Sequence, residues 1–327
     1  MLTSPYLESM SPRYRRSLHI SAPLPIGLNP YAKEVKLQLA LAHGEMRTIK
    51  EVVAHNIVIR KIEAGELHPG DTAIDATSGN TGIGYAGVLQ PLGIYLKLVV
   101  QGTLPSGKLN KLRVYGQGVE LIQHFGPEST VERARREAAE FGYVLLDQYA
   151  SPANPEAHER FTAPALWELT GGNVAAVVIP LGTCGTAVGF SRYFRKRNHN
   201  RRIKIIGVAC NPNQRVPQIP GMRTPAEIDR DVRIPWKGEI NEVRLANRDA
   251  AIRGSRRLAY AEPSWPGLST GAAYNQALSY IAENLEQLRG ECVIIISPDS
   301  IEPYIDIMNA EQDDADVGRA LSSRPVF

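Results

Sequence analysis

The chain has 327 residues, 43% hydrophobic and 22% charged, with a formal net charge of +3. That is length for about two domains of ~150 residues each, a composition that argues against global disorder, and a charge too small to point to nucleic acid or a membrane surface. Cys184, Cys210 and Cys292 stand far apart with no metal-ligand spacing, and no apolar run approaches the ~20 residues of a membrane span. The N-terminus, "MLTSPYLESMSPRYRRS", has no hydrophobic h-region and so does not read as a secretory signal. Its Arg13, Arg15 and Arg16 suit a loose arm or one that packs on a partner subunit.

In chain order, short β-branched runs alternate with stretches of helical spacing. "VKLQLALA" (35–42) reads as a strand. "IKEVVAHNIVIRKIEAGEL" (49–67) reads as a helix with Ile49, Val52, Val53 and Ile57 on one face, stopped by His-Pro-Gly. "TAIDA" is a strand, and a helix starts near Asn80. "YLKLVVQ", "PSGKLNKLRVYG" and "VELIQH" follow as strand, helix and strand. "STVERARREAAEFG" is a helix with a Ser129 cap and a Gly142 stop. "YVLLDQY" reads as a strand, "PEAHERFTAPALWELTGG" as a helix, and "VAAVVIPLG" as a strand covered on both faces. After a further helix come the strand "IKIIGVAC", an irregular stretch over 211–238, "EVRLA", two more helices and "CVIIISPD". This alternation predicts an α/β protein with mostly parallel sheets, and loops as long as 211–238 are often functional.

Three turns share one design, a strand followed by Gly/Ser/Thr and then a helix: "TSGNTGIG" from Thr77, "GTCGTAVG" from Gly182 and "GLSTGAA" from Gly267. The first N–H groups of a helix have no internal acceptor and sit at the positive end of its dipole, so such turns hold anions. Each alone fits a tight connection equally well. The order G-x-G-x-x-G is missing from the first, and no P-loop lysine follows a glycine, so neither nucleotide-binding pattern applies.

Taken in order, with a lysine ahead of the first, these segments resemble the cysteine synthase (O-acetylserine sulfhydrylase) and cystathionine β-synthase family. "LNPYAKE", "ELHPGDTAIDATSGNTGI", "QYASPANPEAHERFTAPALWELTGG", "GTCGT", "LSTGAA" and "ISPDS" carry the resemblance over about residues 24–304. It implies a tryptophan-synthase-β-like fold, the fold type II of pyridoxal-phosphate (PLP) enzymes. In that fold two three-layer αβα domains with mostly parallel sheets enclose PLP in the cleft between them. The implied division is 1–42 with 153–327 for the large domain and 43–152 for the small one.

The resemblance also implies roles. Lys50 matches the Schiff-base lysine and general base; burial in a cofactor cleft would favour its neutral, nucleophilic amine. Gly182, Thr183, Cys184, Gly185 and Thr186 match the phosphate cup, Asn80 the contact to the PLP hydroxyl, and Ser269 the group at the pyridine nitrogen. Thr77, Ser78, Gly79, Thr81 and Gln148 match the residues that hold the substrate carboxylate. A hydroxyl at the ring nitrogen, where other PLP enzymes use a carboxylate, leaves a weaker electron sink, which suits loss of a β-leaving group. The implied reaction is β-replacement on an O-activated L-serine through an α-aminoacrylate, with sulfide or another small nucleophile as acceptor. The alternatives are β-elimination, a cystathionine-type condensation, or an inactive relative that acts as a binding partner. A cytoplasmic homodimer without metal, nucleic acid or membrane partners completes the expectation.

The chain departs from the family in four places. "HGEMRT" (43–48) replaces Asn-Pro-x-Gly-Ser, Cys184 replaces a glycine, "AEIDRDVRIPW" stands where a Gly-rich loop belongs, and Pro303 replaces an arginine. Arg47, three residues before Lys50, has two readings: it faces the cleft and favours an anionic leaving group, or it is an ordinary solvent-facing arginine. His43, His55, His124 and His158 show no pairing pattern and read as structural or surface residues.

Overall fold

Among the described residues (18–42, 46–115, 118–197, 203–214, 218–260 and 265–310 of a computed structural model), ten strands build two sheets. The N-terminal arginines and His43 lie outside them. The strands are β1 (Leu18–Ile20), β2 (Lys36–Ala42), β3 (Thr72–Thr77), β4 (Tyr95–Gln101), β5 (Val119–His124), β6 (Val144–Leu145), β7 (Ala176–Pro180), β8 (Lys204–Cys210), β9 (Glu242–Ala246) and β10 (Cys292–Ser297). One sheet runs β1-β2-β10-β7-β8-β9, the other β5-β4-β3-β6. Every pairing is parallel except that of the edge strand β1 with β2, where Leu18 faces Ala42.

The central strands are apolar because helices cover both faces. All of β10, "CVIIIS", is buried, as is β7 up to Ile179. Residues of β10 alternate between two cores: Ile294 and Ile296 pack with Val177 and Phe190, and Val293 and Ile295 with Leu39 and Tyr274. A third core lies around the second sheet, where Ile83, Leu98 and Val100 meet Val53 and Ile57 of the helix Lys50–Glu63. The parallel strands bring their carboxyl ends together: β3 ends at Thr77, β7 leads into Gly182, and β10 into Asp299. Ligands of open α/β sheets bind at such ends.

Local signals held where they were strongest. The helix Thr130–Phe141 has a full capping box, Ser129 with Glu132, and stops at Gly142 with φ 69°. Three expectations need correction. The strand read over 143–149 shrinks to Val144–Leu145, because Asp147 turns the backbone at φ 45°. The helix read over 155–172 is Ala153–Ala157, a π turn His158–Thr162 and Ala163–Thr170; Pro164, which has no N–H to donate, sits at the junction. The irregular stretch 211–238 contains the helix Pro225–Asp231, started by a second capping box of Thr224 with Glu227.

Candidate active site

The turn after β3 shapes itself. Thr77 Oγ1 accepts from the N–H groups of Gly79 (3.0 Å) and Gly82 (3.1 Å), pinning the loop to the start of the helix Asn80–Leu89. Gly79 adopts φ 121°, a conformation L side chains rarely take. Thr81 donates to Gln148 Oε1 at 2.7 Å, and Gln148 Nε2 donates to the Ala76 carbonyl at 2.7 Å. Two residues expected to face the substrate thus also hold each other in place.

The turn after β7 forms the N-terminus of the helix Gly185–Arg197. Cys184 makes the bend at φ 62°, is buried, and has its thiol pushed up to about 12 by burial, so it is not a nucleophile at neutral pH. A Cβ at Gly182 would lie 2.5 Å from the Gly221 carbonyl oxygen, and one at Gly185 would strike Asn154, so the cup has backbone on its wall and no room for side chains there. Thr183 Oγ1 accepts from Asn154 Nδ2 at 2.9 Å. Thr186 Oγ1 meets His158 Nε2 at 3.1 Å, and the other ring nitrogen meets Thr162 at 2.9 Å. Burial, and then the charge of Lys50, hold His158 neutral, so one of those hydroxyls donates to the ring and the other accepts.

Lys50 opens the helix Lys50–Glu63, and its Nζ lies 3.3 Å from Thr183 Oγ1. Loss of solvent lowers its pKa to about 8 against a smaller opposing effect of Cys184. One cavity is lined by Lys50, Ser78, Asn80, Thr81, Gln148, Gly182, Thr183, Cys184, Thr186 and Ser269. Ten residues singled out in the sequence, from five separate segments, therefore converge. Thr77 lines the neighbouring cleft instead, while Gly79 and Gly185 serve as backbone of the two turns. That cleft, about 730 Å³, shares Ser78, Tyr149, Pro220 and Gly221 with the inner cavity.

The residues fit PLP. A helix N-terminus with two threonine hydroxyls and close-packed glycines suits its phosphate, an amine of lowered pKa in the same cavity suits its aldehyde, and the Ser269 hydroxyl lines the same space. Among the described residues, no group of three or more His, Cys, Asp or Glu side chains could hold a metal. No described helix is long and apolar enough to cross a membrane.

Arg47 takes the solvent-facing alternative. It lies in the non-helical turn before Lys50, with φ 48°, and its side chain is 69% exposed and pairs with Glu302 at 3.4 Å. The helical i, i+3 relation to Lys50 does not hold outside a helix, so Arg47 faces a separate surface hollow. Sequence reasoning missed Asn154 and His158, which brace the cup, and Asp299, which accepts from Asn80 Nδ2 at 2.8 Å. All three lie in segments that carry the resemblance, Asn154 and His158 in "QYASPANPEAHERFTAPALWELTGG" and Asp299 in "ISPDS", but nothing in those segments singles them out.

Comparison with known proteins agrees. Residues 31–299 match the family model described as pyridoxal-phosphate dependent enzyme. Cysteine synthase B of Escherichia coli K12 is 31% identical over 244 residues, covering 72% of this chain and 77% of that protein. Cysteine synthase A of the same organism is 28% identical over 279 residues, covering 79% and 83%. A mutant O-ureido-L-serine synthase, solved with O-ureido-L-serine bound, superposes with TM-score 0.78 at 23% identity, covering 99% of this chain and all of that one.

Proposed function

We propose that this chain, which belongs to the pyridoxal-phosphate-dependent enzyme family, replaces the β-substituent of an O-activated L-serine by a small nucleophile, as a cysteine synthase does with sulfide. The observation that carries the reading is the meeting of the Lys50 amine with the Thr183 hydroxyl in a cavity that also takes in Ser78, Asn80, Thr81 and Ser269. PLP, when bound, withdraws electrons from the substrate Cα and so eases loss of the β-group.

The side chains divide the remaining work. Gly182 to Thr186 would hold the phosphate, with Thr183 and Thr186 oriented by Asn154 and His158. Asn80, held by Asp299, would meet the ring hydroxyl of PLP, and Ser269, which lines the same cavity, its ring nitrogen. Ser78, Thr81 and Gln148 receive the substrate carboxylate beside the loop N–H groups. Lys50 is the base that takes the proton from Cα and returns it after the nucleophile has added; a pKa near 8 keeps it close to working pH.

The domain division proposed with this function is 1–42 with 153–327 and 43–152; the strands of the first sheet lie in the former and those of the second in the latter. The outer cleft has room for an acceptor larger than sulfide, so homocysteine belongs in the test. A cytoplasmic homodimer is the assembly the family implies, and sedimentation of the purified protein checks its size.

The test is a product assay on purified holoenzyme. O-acetylserine, O-phosphoserine, serine and cysteine are offered one at a time, with and without sulfide, and again with homocysteine as the acceptor. Cysteine formed only when sulfide is present supports replacement. Keto acid formed without any nucleophile replaces this reading with elimination. Lys50→Ala should lose turnover by at least about a thousandfold, together with the visible absorbance of lysine-bound cofactor. Full turnover in that variant would end the assignment.

A further inference from the structure

We propose that Lys108 binds the carboxylate of the amino-acid substrate, as a buried ammonium set behind the loop 77–81. The inference rests on the amino-acid substrate proposed above. The cysteine-synthase resemblance assigned no residue at this position, and nothing in the periodicity of "PSGKLNKLRVYG" marks Lys108 apart from Lys111.

Lys108 stands in the first turn of the helix Ser106–Tyr115, and its side chain is 1% exposed. Its Nζ makes no hydrogen bond among the described residues. The nearest anion is Asp299, whose Oδ2 is 3.6 Å away, beyond hydrogen-bond range. That oxygen already accepts from Asn80 Nδ2 at 2.8 Å and from the Tyr304 hydroxyl at 2.5 Å. The other oxygen of Asp299 is turned toward Gly267, where a Cβ would lie 2.3 Å from it. The remaining neighbour is the Tyr304 ring, with its centroid 4.9 Å from Nζ. A buried ammonium has three protons to place, and here it has a weak ion pair and an aromatic face.

The direction of the side chain is set by two glycines. A Cβ at Gly79 would lie 2.9 Å from Lys108 Cδ, so the stem runs directly under the loop. A Cβ at Gly221 would lie 4.0 Å from Lys108 Nζ and 3.9 Å from Ser78 Oγ. Both polar atoms therefore look at one spot, in front of a residue that lines the inner cavity and the outer cleft alike. A carboxylate at that spot would accept from the Ser78 hydroxyl and from the ammonium together, giving the charge-assisted bond that Lys108 lacks. The cofactor's phosphate belongs to the cup at Thr183 and Thr186, so it does not compete for this cation.

The test compares L-serine with L-serinamide, which lacks the carboxylate charge. Each is titrated into the holoenzyme, and equilibrium binding is read from the visible spectrum of the bound cofactor. Wild type is expected to prefer serine. Lys108→Gln, which keeps a donor toward Asp299, is expected to reduce that preference about tenfold to a hundredfold, the span of one hydrogen bond to a charged group. Its affinity for serinamide should change little. An unchanged preference, or an equal loss for both ligands, would overturn the proposal in favour of a structural role. Should the variant yield no folded holoenzyme, a structure of wild type with serine bound decides. Lys108 Nζ within about 3.2 Å of a carboxylate oxygen is then expected; Nζ left on Asp299 alone overturns the idea. A wild-type protein whose spectrum answers to no amino acid removes the proposed function, and this inference with it. A normal response with unchanged preference removes only Lys108.

Discussion

Asp75 stands in β3 two residues before the substrate loop, fully buried, and accepts from the Tyr85 hydroxyl at 2.8 Å and the Gln148 N–H at 3.1 Å. Burial first, and then the charge of Asp147, raise its pKa to about 7. A carboxyl whose pKa is raised in the folded state binds its proton more tightly there than in the unfolded chain. Its contribution to stability is complete below the unfolded value of ~4 and is lost as pH rises through about 7. Asp75→Asn should therefore gain melting temperature relative to wild type as pH goes from 5 to 8, with a free-energy span of a few kcal/mol. Parallel melting profiles for the two proteins would refute the assignment. Residues of this kind were partly legible. "DATSGNT" marked the loop, and spacing marked Ile49, Val52 and Val53 as one buried face. Which loop hydroxyl braces the loop and which residue lines the inner cavity was not legible, because Thr77 and Ser78 are neighbours of like chemistry that differ only in direction.

At the scale of elements, the helix Leu268–Glu283 carries Ser269 and crosses the helix Arg248–Ala259 at two glycines. A Cβ at Gly271 would lie 2.1 Å from the Ala251 carbonyl oxygen, and one at Gly254 would lie 2.5 Å from that of Gly271. Ser255 Oγ donates to the Gly267 carbonyl at 2.7 Å, fixing the start of the Ser269 helix to its neighbour. Alanine is the better helix former by about 1 kcal/mol, yet here the clash outweighs propensity. Gly271→Ala should cost about 1–3 kcal/mol and weaken PLP affinity by shifting Ser269. Thermal melting and cofactor titration check both effects, and a rise in melting temperature would show that the helices can separate freely. "LSTGAA" was legible as a helix start. The need for glycine at its fourth residue was not, since it comes from a backbone carbonyl on another helix.

Across the whole molecule, the elements around the two sheets are tied together along the wall of the outer cleft. Asp231, fully buried, pairs with Arg223 and with Arg230 (3.0 Å) and accepts from Ser129 Oγ at 2.9 Å. Arg135 donates to the Asp231 carbonyl at 3.2 Å, and Arg223 stacks 4.6 Å from the Tyr149 ring. Thus Asp231, in "EIDRDVRIPW", clamps the segment 223–234 onto the start of the helix Thr130–Phe141. Asp231→Ala would leave Arg223 without its carboxylate and should cost about 3–5 kcal/mol, with faster amide exchange at the start of that helix. A loss below about 1 kcal/mol, the scale of an exposed pair, would show that the clamp does not hold. The fold class, the alternation of strands and helices and the three Gly/Ser/Thr turns were determined by the sequence alone, because periodicity, capping and turn chemistry act over a few residues and leave a local trace. The resemblance added the pairing of Lys50 with the cup at Thr183. Only the tertiary structure turned Arg47 outward, set His158 on Thr186, brought Asp231 to Ser129 and left the ammonium of Lys108 behind Gly79. Those outcomes depend on which distant surfaces meet and on where solvent is excluded, and neither leaves a mark on the neighbouring residues of the chain.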